Sequence, residues 1–334
     1  MAYTNIATGD NSAKKLYEEI RFATSYKKSF WLSKQSPKEG LNNVLYTNNK
    51  MDGKSGDRVS IDFITRFAAA ARGEGDALEG HEGSLTPYTF NLTLAEKHVL
   101  LRYKGKLSAQ RPAWSLSAAH EQALEGRGAE VIDEQIFDAL QATDPNKVFY
   151  AGSATSTATL TASDLLTPER LVRTRTWMET GGDYAQNAVE PIMEKGEPYY
   201  MGLFYNDSFY DLWQDSTIQQ ATREAHNRGG ENPLFRDAPM IWNNITVFKH
   251  PNVEKFTNGG SGSDVNYAKG FLMGRGAMAI AWGQRPEIET ETFEYKSQVG
   301  HDFNYILAAG RPEFNSLDYA VVGLYAARTQ ISDV

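Results

Sequence analysis

Six histidines are the side chains best suited to proton chemistry near neutral pH, and their spacing argues against a shared site. They stand at His81, His98, His120, His226, His250 and His301, with no two of them three or four residues apart. A helical zinc site needs that spacing to bring two imidazoles onto one face, so a metal centre would have to be assembled from remote segments. Glu121 follows His120, but Leu124 stands where a metalloprotease helix needs its second histidine. These histidines read as isolated surface or core residues. The chain contains no cysteine, which excludes disulfides, thiolate metal sites and cysteine nucleophiles together.

Other patterns that could carry chemistry are equally thin. The run DGKS at 52–55 resembles the end of a phosphate loop, but Asn48 replaces the required leading glycine and no apolar strand precedes it. Gly274, Gly276 and Ala279 match GxGxxA, yet Ala277 to Trp282 reads as a strand where that motif needs a helix. Asp207, Asp211 and Asp215 fall four apart and can share a helical face. With no basic or nucleophilic residue converging on them in sequence, they read as acids complementing a helix N-terminus. Arg170, Arg173 and Arg175 read as a solvated helix face. The segment GEGDALEGHEG (73–83) holds four glycines and four acids, Glu74, Asp76, Glu79 and Glu82, without the alternating ligand order of a calcium loop. Contact with another subunit is the better reading. No catalytic residue, cofactor or metal is expected.

The elements that would position such residues are more legible. Between Pro112 and Pro145 apolar residues recur at Leu116, Ala119, Ala123, Leu124, Val131, Ile132, Ile136, Ala139 and Leu140. This predicts one helix from Leu116 to Ala142, capped by Ser115 or Ser117 and about 40 Å long, bent if anywhere at Gly126 and Gly128. Upstream, Val59, Ile61, Phe63 and Phe67 alternate with polar residues, as do Tyr88, Phe90, Leu92 and Leu94, which predicts a long β-hairpin with the acidic segment between its arms. The phase changes after Leu94, implying a bulge or turn near Glu96 and Lys97. Downstream, a helix starts at Thr167–Pro168 and ends near Gly181 and Gly182. The run 199–205 reads as a buried central strand, and a single helix follows from about Ser208 to Asn227. Further strands are expected at Ile245 to Lys249, Ala277 to Trp282, Thr292 to Tyr295, Phe303 to Ala308 and Ala320 to Ala327, with a loose surface loop at 258–264. Helices and strands are segregated, so the class is α+β.

At 334 residues the chain can bury a large core, and no run approaches 18 apolar residues, so nothing reads as spanning a membrane. The first residues lack a basic region followed by an apolar run, so no secretion signal is expected. The net charge of −8 is uneven: residues 1–58 carry +4, leaving −12 for the rest. Such an acidic body argues against tight nucleic-acid binding. The basic arm contains Phe30 and Trp31, which read either as part of a short helix on their own domain or as anchors on a neighbouring subunit.

Five stretches together resemble the major capsid proteins of tailed double-stranded DNA bacteriophages, with the Hong Kong 97-type fold, in the branch typified by the coliphage N-four capsid protein. They are GDALEGHEGSL (75–85), KGKLSAQR (104–111), YNDSFYDL (205–212), NPLFRDAPMIWNNITVFKHPNV (232–253) and GRGAMAIAWGQ (274–284), in the family's order and covering most of the chain. The resemblance implies an N-terminal arm at 1–57, an extended loop at 58–110 and a peripheral domain with a spine helix at 111–164. It further implies an axial domain at 165–285 and a return to the peripheral domain at 286–334. It implies a structural protein without catalytic residues that self-assembles as hexamers and pentamers into an icosahedral shell, built in the host bacterial cytoplasm. Its partners would be copies of itself, a separate scaffolding protein, a portal and, optionally, a decoration protein, with packaged DNA touched only non-specifically. Phe30, Trp31, Glu74, Asp76, Glu79 and Glu82 are the candidate subunit-interface residues. An encapsulin-like shell shares the fold, and a glycan-acting enzyme would suit the aromatic content but lacks convergent carboxylates.

Overall fold

The structure, a computed structural model, describes residues 29–34, 43–48, 56–64, 73–74, 87–181, 188–194, 196–225, 240–314 and 317–330. A short helix α1 (Phe30–Lys34) and a single turn and a half, α2 (Lys106–Gln110), precede the dominant element, α3 (Leu116–Gln141). Ser115 caps α3 by accepting from the Ala118 amide at 3.3 Å. The helix is uninterrupted through both glycines. Its buried line runs Leu116, His120, Leu124, Gly128, Ile132, Ile136 and Leu140, while Ala123 of the expected stripe is exposed. Gly128 sits in this line because a Cβ there would lie 2.4 Å from the Phe303 ring.

That ring belongs to the first sheet, ordered β1 (Leu45–Asn48), β12 (Met278–Phe293), β13 (Gln298–Gly310) and β4 (Ala95–Arg102). Here β1 runs parallel to β12 and the other neighbours are antiparallel. Along β13, buried Phe303, Tyr305 and Leu307 contribute to the core into which α3 inserts its buried line, joined by half-buried Val99 and Leu101 of β4. The opposite face carries small residues, Ala279, Ala281 and Ala308, and seats the base of the expected hairpin, β2 (Arg58–Ile64) and β3 (Pro87–Thr93). Val59 pairs with Leu92 and Ile61 with Phe90, the phase the alternation predicts. The change of phase falls at Leu94, two residues before the expected bulge. It is a change of sheet, since Ala95 already pairs with Leu307 on β13.

The second sheet is ordered β5 (Val148–Tyr150), β16 (Val321–Ala327), β11 (Val265–Met273), β7 (Glu197–Phe204), β9 (Ile245–Lys249) and β8 (Met240–Trp242). Two short strands flank it, β10 (Lys255–Gly259) on β11 and β6 (Ile192–Glu194) on β7. As its composition predicts, β7 is central and buried from Tyr200 to Phe204. Helix α4 (Pro168–Thr180) starts at the Thr167 cap and stops at Gly181, whose φ of 70° lies in the left-handed region. A small hairpin, β14 (Glu313–Phe314) and β15 (Leu317–Asp318), connects the first sheet to β16.

Three expectations are corrected. The helix expected over 208–227 is two helices, α5 (Asn206–Gln214) and α6 (Ser216–Ala225). Between them Asp215 takes an extended conformation and its carboxylate accepts from the Thr217 amide at 2.8 Å, starting a new helix rather than continuing the old one. The stretch 258–264 is a surface loop only in part: 261–264 are exposed as expected, but Gly259 ends β10 buried, and Gly260 is buried with its amide donating to Thr157 O at 2.9 Å. The strand expected to reach Tyr295 stops at Phe293, because Glu294, Tyr295 and Lys296 all take positive φ at the tip of the β12–β13 hairpin. Strand pairing places β4 in the first sheet and β16 in the second.

The two spine glycines separate propensity from packing. Gly126 has open space around its Cβ position, so Gly126→Ala should stabilise the unassembled subunit by up to ~1 kcal/mol. Gly128→Ala gains the same propensity but collides with Phe303, and overpacking of about 1–3 kcal/mol should make it net destabilising. Urea unfolding of the two variants should therefore move in opposite directions.

Candidate functional site

Several of the groups that could carry chemistry have structural partners instead. The amides of Gly274, Arg275 and Gly276 donate to Ala320 O, Glu190 O and Asn43 O at 2.8–3.0 Å, so the GxGxxA run holds chain segments together and has no helix to cradle a phosphate. The run DGKS lies outside the described residues, as do His81 and His226. Among the described residues no three His, Asp or Glu side chains gather where they could hold a metal ion, and no helix is long and apolar enough to cross a membrane.

The three spaced acids do more than complement a dipole. Asp207 pairs with buried Arg328, the Asp211 carboxylate accepts from the Thr329 amide at 2.9 Å, and Asp215 opens α6. Burial pushes the Asp211 carboxyl above its ordinary value. Together Asp207 and Asp211 clamp the chain after β16 to α5, a partner 118 to 121 residues away that spacing alone does not reveal. Of the three arginines only Arg173 is the solvated residue expected. Arg170 lies over the Phe149 ring at 5.6 Å, and Arg175 donates to Asn243 O at 2.6 Å and pairs with Glu179.

The candidate interface residues divide sharply. Phe30 and Trp31 are buried in their own chain, the first of the two places the sequence leaves open for them. Trp31 lies 5.5 Å from the Phe137 ring of α3, while Phe30 packs on Phe248 and His250 of the second sheet's β9 edge at 5.6 and 5.1 Å. What seats them is Asp133 of α3. Its carboxylate accepts from Ser29 Oγ at 2.6 Å, from the Phe30 amide at 2.6 Å and from the Trp31 amide at 3.2 Å. It thus caps α1 from another helix. Burial raises the Asp133 carboxyl above its ordinary value, and these three donors oppose that rise. Sequence reasoning missed Asp133; one acid inside an otherwise apolar stripe was the available signal. Glu74 is exposed, and Asp76, Glu79 and Glu82 lie outside the described residues.

The exposed surface around the hairpins is where further contact can occur. Burial along the β2–β3 ribbon falls from Val59 and Leu92, which are buried, to half-buried Ile61, Phe90 and Tyr88. Among the described residues no third strand pairs with it. At the far end of the first sheet Tyr295 is fully exposed, as largely are Leu100 on β4 and Leu107 on α2. A surface of uncovered strands and apolar side chains suits contact with other protein chains.

A family model described as phage capsid protein matches residues 117–316, well over half of the chain. The chain belongs to the phage capsid protein family. Solved structures agree over its whole length. The capsid of Ralstonia phage GP4 is similar with a TM-score of 0.83 at 23% identity, covering 100% of both chains. The cyanophage Pam1 capsid is similar with a TM-score of 0.78 at 20% identity, covering 98% of this chain and 99% of that one. The capsid of Helicobacter pylori bacteriophage KHP30 gives 0.70 at 13% identity, covering 98% and 99%. Among curated proteins none matches the sequence. The fold is therefore of the Hong Kong 97 type, and this capsid protein is a structural component of a virion shell.

In this capsid protein the Asp133 contact makes a direct prediction. Asp133→Ala leaves three donors without their acceptor, a loss of roughly 1.5–3 kcal/mol locally for hydrogen bonds to a charged group. Tryptic cleavage at Lys34 should then accelerate about tenfold or more, because cleavage tracks the open population. Asp133→Asn, which keeps one acceptor oxygen, should fall between the variant and the native protein.

Proposed function

We propose that this capsid protein assembles as hexamers and pentamers into a closed icosahedral shell enclosing a phage's double-stranded DNA genome. Assembly takes place in the host bacterial cytoplasm with a separate scaffolding protein and a portal, and a decoration protein can be added to the finished shell. The observation that carries this reading is the β2–β3 ribbon, which pairs with no third strand among the described residues and packs on its own chain only through one face, by Val59, Leu92 and the Tyr88–Phe314 contact. An isolated two-stranded ribbon is marginal in water, so it gains most of its order from a surface it does not carry itself. The acidic segment 73–83 falls between its two strands in sequence, and repulsion among four carboxylates favours a basic partner surface. In this reading the ribbon is the extended loop that overlies a neighbouring subunit, α3 with the first sheet forms the peripheral domain, and the second sheet forms the axial domain.

The purified protein with its scaffold should form closed particles by electron microscopy, showing fivefold and sixfold clusters; a strictly monomeric protein at high concentration contradicts the proposal. Replacing Glu74, Asp76, Glu79 and Glu82 by their amides should lower the yield or heat resistance of shells while leaving circular dichroism of the subunit unchanged. Shells with undiminished salt and heat resistance would mean that the acidic segment is solvated and takes no part in contact.

A further inference from the structure

Two buried histidines play no part in the surfaces described above. His120 on α3 and His301 on β13 meet edge to face with ring centroids 5.9 Å apart, and both are buried. His301 engages both ring nitrogens: Nε2 lies 3.1 Å from Ser117 Oγ on the helix, and Nδ1 lies 3.1 Å from Thr290 Oγ1 on β12. A neutral imidazole donates through one nitrogen and accepts through the other, and a hydroxyl serves in either role. His120 is served less well. Its Nδ1 is buried without a hydrogen-bond partner among the described residues, and its other ring neighbour is Tyr103, just beyond β4, at 6.0 Å.

Charge around the pair is sparse. From α3 comes Glu121, whose Oε1 lies 3.9 Å from His301 Nδ1; β12 presents Thr290 and the end of β4 presents Tyr103, neither charged at neutral pH. One carboxylate therefore faces two imidazoles. Just beyond the pair come Gly126, with open space at its Cβ position, and Gly128, the two weakest helical positions in α3. They divide a first half, seated by Leu116, His120 and Leu124, from a second half seated by Ile132, Ile136, Phe137 and Leu140.

We propose that His120 and His301 form a pH-responsive joint, which fixes the first half of α3 to the β12–β13 hairpin at neutral pH and releases it under mild acid. Protonation puts a new donor on His120 where no acceptor waits, and charges a ring buried beside another imidazole 5.9 Å away, where a cation is poorly solvated. Burial, and then the adjacent His301, hold the His120 pKa below its ordinary value. The unfolded chain thus binds this proton more readily, so the site's stabilisation is complete above the unfolded pKa of about 6.5 and is lost as pH falls below it. His98, on the other face of the sheet, works in the opposite sense. Its hydrogen bond to Asp302 raises its pKa, so its contribution is present in acid and lost as pH rises. Global melting mixes the two effects, and a local readout is required.

Hydrogen exchange of the full-length, unassembled protein from pH 7.5 to 5.0, corrected for intrinsic rates, provides it. Amides of residues 119–125 should lose protection relative to those of 132–141, by about tenfold for each unit of pKa depression. His120→Gln should abolish this difference between the halves. Uniform loss along α3, or a difference that persists in the variant, overturns the proposal. Should the variant fail to fold, the ring resonances of His120 in the native protein decide: a midpoint below 6.5 is expected, and a midpoint at or above it overturns the proposal.

Discussion

A helix of 26 residues lying along a four-stranded sheet sets the geometry of everything else in this subunit. Its buried line meets β13 through a close approach that only glycine permits at position 128. Packing at that distance resists sliding as well as separation, because interiors are close-packed and tolerate little displacement. Polar contacts fix the helix along its axis. Gln135 donates to Leu307 O at 3.0 Å and accepts from Tyr305 Oη at 3.1 Å, which sets register against β13.

The same helix also ties in the rest of the chain. Asp133 holds the start of α1, so the arm enters the core where α3 and the second sheet meet. At its C-terminal end the carbonyls a helix leaves unpaired go to Arg311, which donates to Leu140 O and Thr143 O at 3.1 and 3.0 Å and pairs with buried Asp318. Gln141 reaches the turn before β10, donating to Asn252 O at 3.0 Å and accepting from the Glu254 amide at 2.6 Å. First sheet, second sheet and arm are thus held by one rod. A shell subunit needs that rigidity, because a small angular error within each copy would accumulate around a closed surface. The exposed tip at Tyr295 lies outside this framework, and the β2–β3 ribbon joins it on one face through Val59 and Leu92.

Legibility in the sequence followed the range of the interactions. The periodicity of α3, the caps at Ser115 and Thr167, the stop at Gly181 and the pairing phase of Val59 with Leu92 depend on neighbours within a few residues or on one regular pattern, and the structure agrees with all of them. Asp215 misled because its helix-starting role depends on a local side-chain bond that competes with an otherwise continuous amphipathic pattern. The destinations of Phe30 and Trp31 were undetermined for another reason: their burial depends on Asp133, more than 100 residues away. Asp207 with Arg328 and Arg311 with the end of α3 are of the same kind. The pattern of the chain shows which residues seek burial, whereas the partner that buries them is a property of the assembled fold.

The central claim is that α3 and its sheet form a framework complete in the single subunit, while the ribbon is completed only by other copies. Hydrogen exchange compared between unassembled subunits and intact shells tests it most directly. Amides of α3 and β13 should be protected in both states, and those of residues 58–64 and 87–93 should gain protection strongly on assembly. A ribbon already as protected in the isolated subunit as in the shell, or an α3 that becomes protected only in the shell, would contradict the account.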